Sequence, residues 1–231
     1  MGNFFENDLD GVTRLILIRH GRTQANKEAR IGSLDAIPLD SVGREQAEKV
    51  AERLNEFPIS TIYASPILRT KETAQIIASH LKIDVEIREE LQEYNFGVIS
   101  DHTFDEVRQQ YPDVFKDMQG WIQMGAVQDR ERPIIPEAEK FQEFESRLLN
   151  FRDHILDTHS GQVLAVVTHL SVIKGYMAMF FGGSVFERMN FLAHNTSLTI
   201  IDFCNRVPIL VLFNDSRHLG LEIKYGKVVL L

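Results

Sequence analysis

Arg19-His20-Gly21 closes a short apolar, β-branched run, Thr13 to Ile18, and places two reactive side chains at its end. A buried strand of that kind delivers an arginine and a histidine to a sheet edge. The glycine lets the backbone come close to a ligand. An adjacent guanidinium disfavours imidazolium, so His20 is expected to be neutral and nucleophilic. Taken alone, such a tripeptide is more often a strand-end histidine beside a surface arginine. A second run, Gln162 to Thr168, ends in the same way on His169. In α/β sheets ligands sit outside the carboxyl ends of strands, and two such ends here carry histidine.

These residues need a frame to hold them. Ser41 to Phe57 carries Val42, Ala47, Val50, Ala51 and Leu54 on one helical face, with Asp40 or Ser41 as N-cap. Ser60 to Ala64 reads as a second buried strand. Pro66 is expected in the first turn of a helix reaching about His80, where a missing N–H costs nothing. Ile83 to Ile87 is a short strand. Residues 91 to 135 are less regular, with short helices near Phe104 to Gln110 and Asp113 to Met124. Tyr94, Phe96, Phe104, Tyr111, Phe115 and Trp121 suggest a small satellite core there. A long helix over 137–158 precedes the His169 strand and another, Val172 to Phe181, follows it. Ser197 to Phe203, Val207 to Phe213 and Lys227 to Leu230 read as strands. This alternation predicts an α/β fold with a mostly parallel central sheet. With 231 residues and no linker-like stretch, one domain over 1–231 is expected, with a helical insert at about 98–135.

Hydrophobic residues make up 44% and charged residues 25%, which excludes a disordered or low-complexity chain. The net charge of −8 argues against nucleic-acid binding, which needs a basic stripe. An anionic substrate must therefore be attracted locally, against the global field. One cysteine, Cys204, allows no intrachain disulfide and reads as a core residue. No apolar run reaches the length of a membrane span. The acidic start MGNFFENDLDG lacks the basic region of a signal peptide, and Glu6 stands where N-myristoylation wants Ser or Thr. A cytoplasmic location without a membrane partner is expected. His154 and His159 are five residues apart, the wrong interval for one helix face, so no metal site is expected there.

The first pattern is longer than a tripeptide. Arg19, His20, Gly21, Thr23 and Asn26 resemble the R-H-G-x-T-x-x-N signature of the histidine phosphatase superfamily, which includes the cofactor-dependent phosphoglycerate mutases. Gly32, Pro38-Leu39, Gly43 and Gln46-Ala47 resemble the segment that follows it in that family. Ala64-Ser65-Pro66-Ile67-Leu68-Arg69-Thr70 with Thr73-Ala74 resembles A-S-P-L-x-R-t-x-x-T-A. Leu91-Gln92-Glu93-Tyr94-Asn95-Phe96-Gly97 resembles L-x-E-x-x-f-G, Val167-Thr168-His169 resembles V-T-H, and Asn195-Thr196-Ser197 resembles a late N-x-S turn. The likeness spans about residues 13 to 200.

The resemblance implies a three-layer α/β/α fold and a two-step phosphoryl transfer without metal or cofactor. His20 would form a phosphohistidine. Arg19, Arg69 and His169 would surround the phosphate, and Glu93 would protonate the leaving oxygen and later deprotonate the acceptor. Thr23, Asn26, Gly32 and the Leu170 N–H would contact the substrate. Elementary chemistry agrees, since phosphoryl transfer needs positioning and charge neutralisation, and guanidiniums grip phosphate oxygens two at a time. Leu170-Ser171 replaces the small pair usual after the second histidine, and Ile99-Ser100-Asp101 replaces an aromatic-Glu-Gly. The Gly of the family's Pro-x-G-E-S is also lost in Pro136-Glu137-Ala138-Glu139-Lys140. The implied activity is hydrolysis of a small phosphorylated metabolite. A phosphoglycerate mutase is the first alternative, although Ala25 precedes Asn26 where the mutases usually carry Trp. A weakly active phospho-ligand binding protein is the second.

Overall fold

Four consecutive apolar residues, Leu15 to Ile18, are fully buried because strand β1 (Val12–Arg19) lies inside the sheet and is covered on both faces. In this computed structural model the described residues are 11–123, 134–181 and 191–220. The other strands are β2 (Ile59–Ala64), β3 (Val85–Ile87), β4 (Val163–Thr168), β5 (Leu198–Cys204) and β6 (Val207–Asp215). They form one sheet in the order β3-β2-β4-β1-β5-β6. The pairs β2–β3, β2–β4 and β1–β4 are parallel, whereas β1–β5 and β5–β6 are antiparallel. The expected strand Lys227 to Leu230 lies outside the described residues.

Side chains alternate along each strand, so the sheet fills two cores. Leu15, Leu17, Leu164 and Val166 face helices α6 (Phe141–Thr158) and α7 (Leu170–Phe181) through Phe144, Leu148, Phe151, Ile155, Ile173 and Tyr176. Ile16, Ile18, Ala165 and Val167 face α2 (Ser41–Leu54) and α3 (Leu68–Leu81) through Val50, Ala51, Leu54, Ala74 and Ile77. The result is three layers, α/β/α. A short helix, α1 (Gln24–Lys27), follows the His20 loop, and α4 (Phe104–Gln110) and α5 (Pro112–Gln123) occupy the region of the expected insert. Residues 124–133 of that region are outside the described ones.

Local chemistry sets the boundaries. Asp40 caps α2, its Oδ1 accepting from Gly43 N–H at 2.7 Å. Thr103 and Glu106 form a capping box on α4. Four expectations are corrected. Pro66 precedes α3 rather than joining it, because Ile67 stays extended as N-cap and the Thr70 hydroxyl reaches back to the Ser65 and Ile67 carbonyls. Helix α6 starts at Phe141, not 137, because Ala138 and Glu139 pair with the 95–96 segment through the Phe96–Ala138 bridge and the Glu139 N–H to Asn95 O bond of 2.9 Å. Tyr94 and Phe96 join the main core on Phe144 instead of a satellite, since the same pairing draws them under α6. Cys204, at the end of β5, is half-buried and so is not a core residue.

Two glycines let the His20 loop lie directly on the start of α2. A Cβ on Gly43 would sit 2.0 Å from the Arg22 carbonyl oxygen, and one on Gly21 would sit 2.5 Å from that of Gly43. No flexible side chain is available to yield, because both obstacles are backbone. Gly43→Ala is therefore expected to lower stability by about 1–3 kcal/mol and to reduce turnover as well. Urea unfolding and steady-state rates on the same preparation check both.

Candidate active site

Parallel register places the two histidines side by side. Arg19 pairs with Thr168 across β1–β4, and His20 N–H continues the ladder to Thr168 O at 2.9 Å. Each histidine is then the first residue beyond its strand. Their ring centroids are 5.3 Å apart, and both residues are buried. His20 Nδ1 lies 2.8 Å from Gly21 O. A carbonyl only accepts, so Nδ1 carries the proton and Nε2 holds the lone pair. His169 Nε2 lies 2.8 Å from Ser65 Oγ, while its Nδ1 is buried without a partner.

Around this pair the positive charge is dense and poorly compensated. Arg69, 5% exposed, donates to Ser33 O at 2.7 Å and to Asp35 O at 3.3 Å. Arg19 donates to Ala193 O at 2.7 Å, and its Nε is buried with no partner. Burial lowers the Arg19 guanidinium to about 10, with Glu93 opposing and Arg69 adding to the shift. Burial also lowers Arg69, against the pull of Glu93, Asp35 and Asp101. His20 is held well below the usual imidazole value, first by burial, then by Arg69 and Arg19. The neutrality expected from the neighbouring Arg19 is thus present, with desolvation as its larger cause. His169 is lowered in the same direction by burial, Arg69 and His20.

Glu93 is the carboxylate facing these cations, and it is 5% exposed. Its Oε1 accepts from Tyr94 N–H at 2.9 Å. The loop carrying it is fixed from behind. Arg147 of α6 pairs with Glu139 at 2.7 Å and donates to the carbonyls of Glu90, Gln92 and Glu93. Thr168 Oγ1 donates to Leu91 O at 2.8 Å. Gly32 lies against the carboxylate itself, since a Cβ there would be 3.2 Å from Glu93 Oε2. That loop is stitched to the start of the insert by Ile31 N–H to His102 O and Asp101 N–H to Ile31 O.

Thr23 and Asn26 form a capping box on α1. Asn26 Oδ1 accepts from Thr23 N–H and from Asn195 Nδ2. Asn195 Nδ2 also reaches His20 O at 3.0 Å. These side-chain oxygens are occupied in shaping the loop. Leu170 opens α7 directly after His169, and the Ile173 N–H to His169 O bond begins that helix, leaving the earlier amides at its N-terminus. Sequence reasoning missed the roles of Ser65, Asn195 and Arg147. Ser65 and Asn195 stand inside patterns already singled out. The carbonyls of Ser33 and Ala193 belong to the backbone and leave no side-chain signal. Among the described residues no group of three His, Cys, Asp or Glu side chains is placed to hold a metal ion. His154 and His159 instead flank the Tyr63 hydroxyl, His159 Nε2 at 2.7 Å. No described helix is long and apolar enough to cross a membrane.

Comparison with known proteins bears on this geometry. A model of the histidine phosphatase superfamily (branch 1) matches residues 15–216. Phosphoserine phosphatase 1 of Hydrogenobacter thermophilus is 25% identical over 209 residues, covering 90% of this chain and 95% of that protein. A protein named probable phosphoglycerate mutase GpmB, of Escherichia coli, is 28% identical over 190 residues, covering 82% and 85%. Among solved structures, the phosphoserine phosphatase of Entamoeba histolytica in complex with 3-phosphoglyceric acid superposes with a TM-score of 0.76. It is 26% identical and covers 90% of this chain and 99% of that one.

Burying two neutral histidines has a consequence for stability. Unfolded, each takes up a proton near pH 6.5; folded, each does so only well below that. Below about pH 6.5 the unfolded chain therefore binds more protons, and stability falls as pH drops, by up to about 1.4 kcal/mol per pH unit for each histidine. Above pH 6.5 these two groups contribute no slope. Urea midpoints for wild type and His169→Gln between pH 7.5 and 5 check this, and the variant is expected to show the shallower decline.

Proposed function

The chain belongs to the histidine phosphatase superfamily and hydrolyses phosphoric monoesters of small metabolites, and from that premise we propose which of its groups carry the reaction. His20 Nε2 attacks phosphorus, and the bond from phosphorus to the alcohol oxygen breaks. Glu93, protonated, gives its proton to that oxygen, so a neutral alcohol leaves. Glu93, now a carboxylate, takes a proton from water, whose oxygen attacks phosphorus and breaks the P–N bond. Inorganic phosphate departs, and His20 returns to its neutral state. Arg19, Arg69 and His169 hold the non-bridging oxygens throughout.

One observation carries this reading. Arg19 Nε and His169 Nδ1 are buried without partners beside a histidine whose lone pair is free. Buried donors are normally satisfied, so this set is built for an anion with several acceptor oxygens. The Ser65 hydroxyl, which also accepts from Ile67 N–H, can give its own proton to His169 Nε2 and leave Nδ1 as an N–H donor. The Leu170 N–H at the start of α7 adds a further donor. Thr23, Asn26 and Gly32 act indirectly in this scheme, the first two by shaping the His20 loop and Gly32 by leaving room for the Glu93 carboxyl.

The mutase reading draws on the Escherichia coli relative. It differs in the fate of the phosphohistidine, which a mutase must shield from water and a hydrolase must expose. Wild type is expected to release phosphate from an aryl phosphate faster than it interconverts phosphoglycerates. His20→Ala is expected to lose turnover and to take no label from a phosphorylated substrate. The wild-type label should be acid-labile and base-stable, as a phosphoramidate is. Label retained by the variant refutes His20 as nucleophile.

Glu93→Gln separates acid catalysis from electrostatics. An aryl phosphate with an acidic phenol departs unaided, so its single-turnover phosphorylation of His20 is expected to change little. An alkyl phosphate needs the proton and is expected to slow by about 10²–10⁴-fold. Equal slowing of both substrates would show that Glu93 does not donate the proton.

A further inference from the structure

Thr196 has a φ of 57°, in the left-handed region, which a β-branched side chain enters only under restraint. It is the third residue of a four-residue turn closed by the Ser197 N–H on His194 O at 3.0 Å. A positive φ at that place normally calls for glycine. Such a conformation persists where the surroundings over-determine it. Both ends of the turn are held, because β5 begins at Leu198 and the His194 N–H donates to Asn214 Oδ1 at 2.8 Å.

This turn holds the reacting residues by their backbone. The Thr196 N–H donates to Arg19 O at 2.9 Å, and Asn195 Nδ2 donates to His20 O at 3.0 Å. The same Nδ2 reaches Asn26 Oδ1 at 3.1 Å. The His20 N–H is already fixed to Thr168 O of β4, so Asn195 completes the hold on the backbone of His20. With β5 fixed, rotation of φ at Thr196 to an extended value would carry Asn195 and the Thr196 N–H away from both carbonyls.

His218 supplies the restraint. Its Nε2 lies 3.2 Å from Thr196 Oγ1, and among the described residues that nitrogen is the one partner of the hydroxyl. Thr196 is fully buried, so its hydroxyl cannot turn to bulk water instead. Burial lowers the His218 imidazole, against the pull of Asp215, and keeps it neutral with a single N–H. Its Nδ1 is buried without a partner, which places that proton on Nε2, as donor to Thr196. The ring is carried by a 3-10 turn, Arg217–Leu219, fixed to the end of β6 by the Arg217 N–H on Asp215 Oδ1 at 3.1 Å.

We infer that His218 is a positioning residue for the phosphorylation of His20. Its bond to the Thr196 hydroxyl keeps the 194–197 turn in the left-handed conformation from which the turn grips Arg19 O and His20 O. It acts through the turn and not on the phosphate. The inference rests on the reading of His20 as nucleophile.

The test is a double-mutant cycle in which glycine at position 196 removes the need for restraint, since glycine enters the left-handed region freely. The readout is single-turnover transfer of label from an aryl phosphate to His20, at saturating substrate and well below the unfolding temperature of each protein. His218→Leu is expected to slow this transfer by about ten- to a hundredfold. In the Thr196→Gly background the same substitution is expected to cost less than about threefold. His218→Gln, whose amide N–H can take the place of Nε2–H, should keep most of the rate. Thr196→Ala, which loses the hydroxyl but keeps a Cβ, serves where His218→Leu does not fold, and it should be slower than Thr196→Gly. Transfer by His218→Leu at the wild-type rate, equal slowing in both backgrounds, or Thr196→Ala as fast as Thr196→Gly overturns the inference. Equal slowing is what a merely structural role would give. Wild type that takes no label overturns the reading of His20 instead, so the two failures are told apart.

Discussion

The parallel register of β1 on β4 is the constraint from which the rest of the site follows. It sets Arg19 opposite Thr168 and makes His20 and His169 the first residues beyond two neighbouring strands. Both imidazoles then stand at the same height, 5.3 Å apart between centroids. A slip by one residue would turn every side chain of β1 to the opposite face. It would exchange Leu15 and Leu17 for Ile16 and Ile18 in the two cores and send Arg19 into the wrong layer. The same apolar residues that fill the two cores thereby fix the chemistry at the strand ends.

Charge is the second constraint. The buried Arg69 and the half-buried Arg19, whose Nε is shielded from solvent, raise the local potential in a chain that is acidic as a whole. The fold offsets part of that cost with carbonyl oxygens from Ser33, Asp35 and Ala193, and with Glu93 across the site. Carbonyls carry partial charge and leave room for a full anion, whereas carboxylates in direct contact would neutralise the arginines and close the site. The burial that makes the cations costly also keeps both histidines neutral. In the proposed reaction, anion affinity and nucleophile readiness thus share one physical origin.

Glu93 shows how support from a distance creates precision. Its loop has little regular structure, with short 3-10 turns at Glu89–Leu91 and Gly97–Ile99. Arg147 nevertheless anchors three of its carbonyls from α6, and Thr168, next to His169, anchors a fourth. The loop of Glu93 is therefore tied through one side chain of β4 to the strand end that carries the second histidine. Gly32, backed by the strap to Asp101 and His102, sets the space left for the carboxyl.

The sequence by itself determined the frame and brought forward the candidate residues His20, His169, Arg69 and Glu93. Apolar strand runs ending on His20 and His169 reveal two strand ends by local pattern, and Arg69 and Glu93 stand out through the resemblance of their segments to the family's motifs. Helices α2 and α4 are legible because their caps are side chains, Asp40 and Thr103, adjacent in sequence to what they cap. Tertiary structure decided what depends on distant partners. Residues 137–140 carry a helical pattern but pair with the 95–96 segment, so α6 starts late. Thr23 and Asn26 shape a loop because Asn195, far along the chain, completes their network. Ser33 and Ala193 act through carbonyls, which every residue possesses and no sequence pattern distinguishes. Local propensity is written in neighbouring residues, whereas desolvation and electrostatic pairing exist only once the chain has closed on itself.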